Sequence, residues 1–395
     1  MTEWIDAPEA LRRLGVKPQT LYAYVSRGRI RATADAGDPR RGRYAAADVD
    51  LLTTRKARGR KAADVAADAI AWGEPVLKSA ITMVSGGRLY YRGQDAAHLA
   101  ETATFEGVAR LLRGLDASPR ESRLRPTPPR GASMRERLFA ALAMSAARDS
   151  PAWRQSHEML ANAGATLLDE VADAVCGRVE GGPIHQRLGQ AWGVGAKGTD
   201  LIRRALVLLA DHELNPSTFA ARVAASTGAS LAASTLAGLS ALSGPRHGGA
   251  HEAVAQLAAE AERLGSKDAV ATRLAFWTST PGFGHPLYPD GDPRARALLT
   301  AFTPPSAYQA LSAAVADATG AHDNVDFALA AMTRSLALPP DAPFILFAVA
   351  RCAGWVAHAM EQLATGAIIR PRARYIGIGP SGASGWGSVT DGDVA

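Results

Sequence analysis

Beyond about residue 74, Ala- and Leu-rich segments carry their apolar residues at helical spacing, punctuated by Gly and Pro. Such a period turns one face of each segment toward a core. It predicts helices over 134 to 175, 199 to 211, 216 to 242, 250 to 264, 306 to 319, 325 to 337 and 342 to 365. Residues 79 to 114 begin differently. β-Branched and aromatic residues flank Gly86-Gly87, which predicts a β-hairpin before the pattern turns helical. The Pro- and Arg-rich stretch 116 to 131 predicts a loop. The class is mainly α. The most apolar late stretch, 343 to 360, is interrupted by Arg351 and His358 and falls short of a clean run of about twenty residues, so no membrane span is expected.

The N-terminal part has another rhythm. PEALRRLG, 8 to 15, is a short amphipathic helix stopping at Gly15, and a second helix runs from Pro18 to its stop at Gly28. Short extended pieces around a Gly/Pro/Arg tip follow, and DVDLL begins another helix. Residues 1 to 61 hold fourteen Lys or Arg against seven Asp or Glu, a balance of +7 in a chain whose total is +6. The remainder is therefore near −1, and the excess points to a polyanionic or acidic partner for this unit. Its two helices and hairpin resemble the winged helix-turn-helix units of the MerR and excisionase type. That resemblance implies a second helix approaching a DNA major groove with Gln19, Thr20, Tyr22 and Tyr24. It also implies Arg40, Arg41 and Arg43 at phosphates. The alternative is a small basic packing or oligomerisation module, because helix-turn-helix geometry does not certify binding. RKARGRK, 55 to 61, reads as a solvated basic linker or helix end.

At 395 residues the chain can bury a large core and form two or more structural units. Its 47% hydrophobic and 21% charged content is that of a globular protein. Glu3 and Asp6 stand where a signal peptide would be apolar, so secretion is not expected. Two cysteines, Cys176 and Cys352, make neither a disulfide framework nor a cysteine metal site, and the reducing cytoplasm is the expected compartment.

Candidate chemistry lies in three separated clusters: GPRHGGAHEA at 244 to 253, GFGHPLYPDGDPRA at 282 to 295 and NVDFALAAMTRSL at 324 to 336. Each sets a His or Asp beside residues that let the backbone turn and present it. Two imidazoles, a carboxylate and nearby arginines can take a proton from a carbon beside a carbonyl while an anion is held. His247 precedes a helix start, whose dipole favours a neutral, hydrogen-bond-donating ring; a His that only caps the helix is the alternative. His251, four residues on, has no third ligand and no HExxH pattern, so no metal site is expected. Asp326 fits either a base or an N-cap or first-turn residue.

These clusters, with ADHELNPSTFAARVAAST at 210 to 227, FAVARCAGWVAHAMEQ at 347 to 362 and IIRPRARYIG at 368 to 377, resemble citrate synthase over about 80 to 377. The resemblance implies a small sheet ahead of large and small helical domains, the small one spanning about 220 to 325. The whole would then be a winged helix-turn-helix domain at 1 to 61, a linker at 62 to 78, a citrate synthase-like domain at 79 to 377 and a flexible tail at 378 to 395. It implies that Asp326 removes a methyl proton from acetyl-CoA while His247 stabilises the enol. His285 would donate to the carbonyl of oxaloacetate. His212, Arg294 and Arg351 would hold oxaloacetate, and Arg370 would reach across from the second subunit of a homodimer. No cofactor would be permanently bound; acetyl-CoA, or propionyl-CoA, enters as substrate. His251 stands where members of that family commonly carry Asn, and reads as a support behind the reacting groups. Pro286 and Pro289 replace basic residues common in the family's GHRVYK-like text, a departure that bears on coenzyme affinity more than on chemistry. GIGPSG, 377 to 382, matches GxGxxG formally, but has no helix after it and no βαβ unit around it. Two other functions remain open: 2-methylcitrate synthase acting on propionyl-CoA, and a DNA-binding regulator whose body senses oxaloacetate or an acyl-CoA, a role that would not need Asp326.

Overall fold

The computed structural model describes residues 4–14, 21, 24–25, 30–35, 38, 42–50, 77–115, 133–177, 182–277 and 279–373. The chain divides into two compact units, Met1–Lys78 and Ser79–Ala395.

In the first unit, β1 (Trp4–Asp6) leads directly into α1 (Ala7–Leu14), and β2 (Ala32–Ala34) and β3 (Gly42–Ala45) complete an antiparallel sheet ordered β1-β3-β2. Asp6 accepts from the Glu9 N–H at 2.9 Å and satisfies one of the free donors of α1. Ile5, Leu14, Leu21, Ile30, Tyr44 and Val49 form the core. Tyr24, expected on the groove-reading helix, packs against that core. Gln19, Thr20, Tyr22, Arg40 and Arg41 lie outside the described residues, as do nearly all of 62 to 78, the loop at 116 to 131 and the tail from 374.

The second unit opens with an antiparallel meander of β4 (Thr82–Ser85), β5 (Arg88–Tyr91) and β6 (Gln94–Asp95). Gly86 and Gly87, with φ of 56° and 71°, make the β4–β5 turn that a two-residue hairpin demands. Helices follow: α2 (Ala96–Thr102), α3 (Phe105–Arg113), α4 (Met134–Arg148), α5 (His157–Cys176), α6 (Ile184–Ala191), α7 (Ala196–Leu209), α8 (Pro216–Ser226) and α9 (Leu231–Leu242). The series ends with α10 (Ala250–Leu264), α11 (Ser266–Phe276), α12 (Pro293–Leu299), α13 (Ser306–Thr319), α14 (Val325–Ser335) and α15 (Ala342–Thr365). Two stretches expected as single helices are pairs. Ser156 starts α5 by accepting from the Met159 N–H at 3.2 Å, and Ser230 starts α9 by accepting from the Ala233 N–H at 3.1 Å. Apolar periodicity resumes in near phase across both short breaks, so the period alone hides them, whereas the serine caps mark them. The short helices α6 and α12 have too few turns to show a period, and α11 buries only the adjacent Ala269 and Val270, which make none.

Helix α15 runs through the main core, packed against α3, α5, α7, α8 and α9. It is long and apolar enough to cross a membrane by length and composition, yet it is buried within the fold throughout its most apolar stretch. A helix apolar on all sides is what the centre of a helical layer structure requires. A second core gathers Val254, Leu257, Tyr308, Leu311 and Phe327 from α10, α13 and α14. Helix α14 divides its residues between the two: Val325, Ala328, Leu329 and Met332 join the main core, while Phe327, Ala330 and Ala331 join the second. The residue that begins α14 therefore sits where two helical layers meet.

Candidate active site

The chain leaving α7 is clamped before it delivers His212. The Tyr91 hydroxyl lies 3.1 to 3.2 Å from the carbonyl oxygens of Val207, Leu208 and Asp211 and shares its hydrogen among them. From α15, Arg351 Nε donates to Leu209 O at 3.0 Å and the Gly354 N–H to Ala210 O at 3.0 Å. A Cβ on Gly354 would stand 2.6 Å from that same Ala210 oxygen, so only glycine allows this approach. One turn further, His358 Nε2 meets Asp211 Oδ2 at 3.1 Å. Arg222 Nη1 lies 3.2 Å from His358 Nδ1, so Nδ1 is the acceptor and Nε2 carries the hydrogen toward Asp211.

Beside this clamp stand His212, His285, Tyr288 and Arg294. His212 Nε2 is 2.9 Å from the Tyr288 hydroxyl. The ring of His212 meets that of His285 edge-on at 5.2 Å, and His285 and Tyr288 are 5.0 Å apart. The Arg294 guanidinium lies 5.6 Å from the Tyr288 ring centre. Burial, then the positive charges of Arg294 and Arg351, hold His212 well below the usual histidine range. His285 is lowered to about 4 by burial first and Arg294 second. The Leu287 N–H donates to His285 Nδ1 at 3.2 Å, so the neutral ring carries its hydrogen on Nε2.

Asp292 organises the third side. It N-caps α12, pairs with Arg294 through Nε–Oδ1 at 2.9 Å and Nη2–Oδ2 at 2.8 Å, and accepts the Val325 N–H at 3.1 Å. Both members of the pair are buried. Val325 is the first residue of α14 and Asp326 the second. The cap of α14 is Asn324, whose Oδ1 accepts the Asp326 N–H at 3.0 Å, which leaves the Asp326 carboxylate a first-turn group without a cap to make. That carboxylate has no hydrogen-bond partner among the described residues. Burial raises it to about 6, against the pull of Arg294 and with a further push from Asp292.

His247 lies two residues ahead of Gly249, the cap of α10. Its Nε2 is 2.9 Å from Ser217 Oγ, which also receives the Trp355 Nε1–H at 3.2 Å and lies 2.7 Å from Asn215 Oδ1. Burial and then Arg351 lower His247 to about 4, so it too is neutral near pH 7. His251 is buried and donates through Nδ1 to Gly248 O at 2.9 Å, fixing the turn behind His247. Among the described residues no group of three His, Cys, Asp or Glu could hold a metal ion. Arg351 itself is buried, and its Nη1 and Nη2 have no acceptor among the described residues. Buried donors of that charge need an anion, and a planar fork of them suits a carboxylate.

The structure thus gathers His212, His285 and Arg294 by direct contact. Arg351, His247 and Asp326 join them through the fields that shift their protonation. Arg370 is not gathered: it is exposed in the extended segment after α15. Arg43, expected at phosphate, pairs with Asp35 at 2.5 Å. Ser217, Tyr288, Asp292, Asp211 and His358 were not singled out on the sequence. Their signals were Pro216 and Pro293, each placing a helix start just after a polar residue, and the break that His358 makes in the apolar run. A separate cavity of about 280 Å³ is lined by Arg148, Thr166 and Glu170 among others, and by no residue of this cluster.

A mainly helical unit that holds neutral imidazoles, a raised carboxyl and buried arginines where two helical layers meet has the groups to move a proton beside a carbonyl while an anion is held. The family model described as citrate synthase, C-terminal domain, matches residues 70–372. The chain belongs to the citrate synthase family. It is 38% identical over 189 residues to citrate synthase 2 of Bacillus subtilis, an alignment covering 45% of this chain and 51% of that protein. It is 29% identical over 386 residues to 2-methylcitrate synthase of Shewanella oneidensis, covering 84% of this chain and 97% of that one. The crystal structure of citrate synthase from Thermotoga maritima superposes with a TM-score of 0.62 at 26% identity, covering 78% of this chain and 94% of that chain.

Proposed function

We propose that this chain condenses acetyl-CoA with oxaloacetate and water to give citrate and free CoA. Condensation of an acyl-CoA with oxaloacetate is the reaction class of its family; acetyl-CoA as the acyl donor and the role of each residue are our reading. Asp326 takes a proton from the methyl carbon of acetyl-CoA. His247, neutral at pH 7, stabilises the enol oxygen that results. The carbon attacks the ketone of oxaloacetate, and His285, with its hydrogen on Nε2, supplies the proton to the new alkoxide. Water then cleaves the citryl thioester. Arg294 and Arg351 grip the carboxylates with His212, and Arg370 completes the site from the partner in a two-fold homodimer. The single observation that carries this reading is the buried guanidinium of Arg351, whose two terminal nitrogens lack acceptors among the described residues, in a cluster that also holds a carboxyl, Asp326, raised to about 6.

The Shewanella oneidensis relative supports a second reading, propionyl-CoA as the acyl donor. One methylene changes transition-state binding by only about 1–3 kcal/mol, so the choice rests on pocket shape. Comparing kcat/KM for acetyl-CoA and propionyl-CoA under the same conditions decides it: a ratio above one supports citrate synthase, and a ratio below one supports 2-methylcitrate synthase. The N-terminal unit is a winged helix-turn-helix module acting in the cytoplasm on DNA. The β2–β3 hairpin in the wing position and the balance of +7 over residues 1 to 61 support that role. With Arg43 paired to Asp35, our reading assigns the phosphate contacts to Arg40 and Arg41.

A further inference from the structure

Tyr288 touches three of the groups assigned to oxaloacetate. Its hydroxyl is 2.9 Å from His212 Nε2, its ring is 5.0 Å from that of His285, and Arg294 lies 5.6 Å from its ring centre. It is buried, and its hydroxyl makes no other hydrogen bond among the described residues. The contact with His212 has two forms, and they differ in what the site presents. A neutral imidazole has one N–H. If His212 donates from Nε2 to the Tyr288 oxygen, Nδ1 is a bare acceptor that repels a carboxylate or ketone oxygen. If the Tyr288 O–H donates to Nε2, Nδ1 carries the hydrogen and becomes a donor to the substrate.

We propose that Tyr288 sets the tautomer of His212: its O–H donates to Nε2 and leaves Nδ1–H as the hydrogen-bond donor toward an oxygen of the bound keto-diacid. The surroundings favour this form. Arg294 and Arg351 place positive charge around the cluster, so the ligand that completes it is rich in acceptors, and every neutral ring that meets it must offer a hydrogen. His285 obeys the same rule, since the Leu287 N–H occupies its Nδ1 and frees Nε2–H. Tyr288 does for His212 with a side chain what Leu287 does for His285 with its backbone. Tyr288 is thus a positioning residue, acting through His212.

This inference rests on the oxaloacetate reading of the cluster, but its test does not need turnover. In full-length protein labelled with 15N-histidine, the two ring nitrogens of His212, assigned by comparison with a His212→Asn protein, report which one carries hydrogen. The expected result is a single Nδ1–H form in the wild type and a mixture or reversal in Tyr288→Phe, which keeps the ring and removes only the hydroxyl. The same variant should raise KM for oxaloacetate about tenfold and leave KM for the acyl-CoA unchanged. An Nε2–H form in the wild type, or an Nδ1–H form that survives in Tyr288→Phe, overturns the proposal. A wild type that shows the Nδ1–H form but never releases CoA would leave the tautomer assignment standing and sink the functional reading instead.

Discussion

Asp292 and Arg294 face each other across the single residue Pro293 and close a fork of two hydrogen bonds, at 2.9 and 2.8 Å, with both side chains buried. The second carboxylate oxygen also accepts the Val325 N–H, the first amide of the helix that carries Asp326. One carboxylate therefore fixes the arginine proposed to grip substrate and the backbone beneath the proposed base. It also raises the Asp326 carboxyl by its own negative charge.

Replacing Asp292 by Ala strands a buried guanidinium and an unsatisfied N–H. Breaking a buried pair from one side costs about 3–5 kcal/mol, so Asp292→Ala should lose roughly that much stability in a denaturant titration. Asp292→Asn keeps the oxygen for Val325 and should lose less. In both variants KM for oxaloacetate should rise. Unchanged stability in the alanine variant would show that the pair contributes nothing net.

Asp326 gives a prediction of opposite sign. Its folded carboxyl is raised to about 6 from 3.8, so between those values the folded state holds more protons than the unfolded state and stability falls as pH rises. The penalty is complete above about pH 6 and absent below about pH 4. Asp326→Asn should therefore be more stable than wild type by roughly 1–3 kcal/mol at pH 7.5 and equal to it near pH 4. In the wild type the acid limb of kcat/KM should fall near pH 6, because the base must be ionised. Thermal melts at the two pH values and a pH–rate profile check both statements.

Much of the candidate site was legible because its members stand in short runs whose turn residues announce a presented side chain: His247 before two glycines, His285 after Gly284, Asp326 after a capping Asn. The partners that hold them were not. Tyr288 looks like one more apolar residue in GHPLYP, and the pairing of His358 with Asp211 joins positions 147 residues apart. Such contacts follow from how α15 crosses the end of α7, which local periodicity does not specify. The long helices were visible for the converse reason, since a period needs several turns to declare itself, and the breaks before α5 and α9 span only 149 to 156 and 227 to 230. In the N-terminal unit, Tyr24 illustrates the ambiguity of an aromatic at helical spacing: it packs against the unit's own core.

Arg370 is exposed in the single chain, and its proposed place is in the neighbour's site. Arg370→Ala and Asp326→Ala proteins should each be inactive. After subunit exchange, the hybrid dimer contains one site free of both substitutions, and the mixture should recover up to about a quarter of wild-type activity, since half the dimers are hybrid and each has one intact site. An exchanged mixture as inactive as its parents would show that the sites are not shared.

DNA binding by the N-terminal unit should weaken steeply with salt, because each phosphate neutralised releases counterion. Arg40→Ala with Arg41→Ala should reduce the slope of log K against log salt by about two, while Arg43→Ala should change it little, its charge being paired with Asp35. Fluorescence anisotropy with duplex fragments at several salt concentrations measures both. Absence of binding at low salt would leave this unit a packing module and the enzyme reading untouched.

Release of free CoA, followed with a thiol reagent, tests the assignment of the site most directly. The full-length protein should release CoA from acetyl-CoA only when oxaloacetate is present, and Asp326→Ala should abolish release while still binding oxaloacetate by calorimetry. Release that does not need oxaloacetate, or near-normal turnover in Asp326→Ala, would contradict the proposed chemistry.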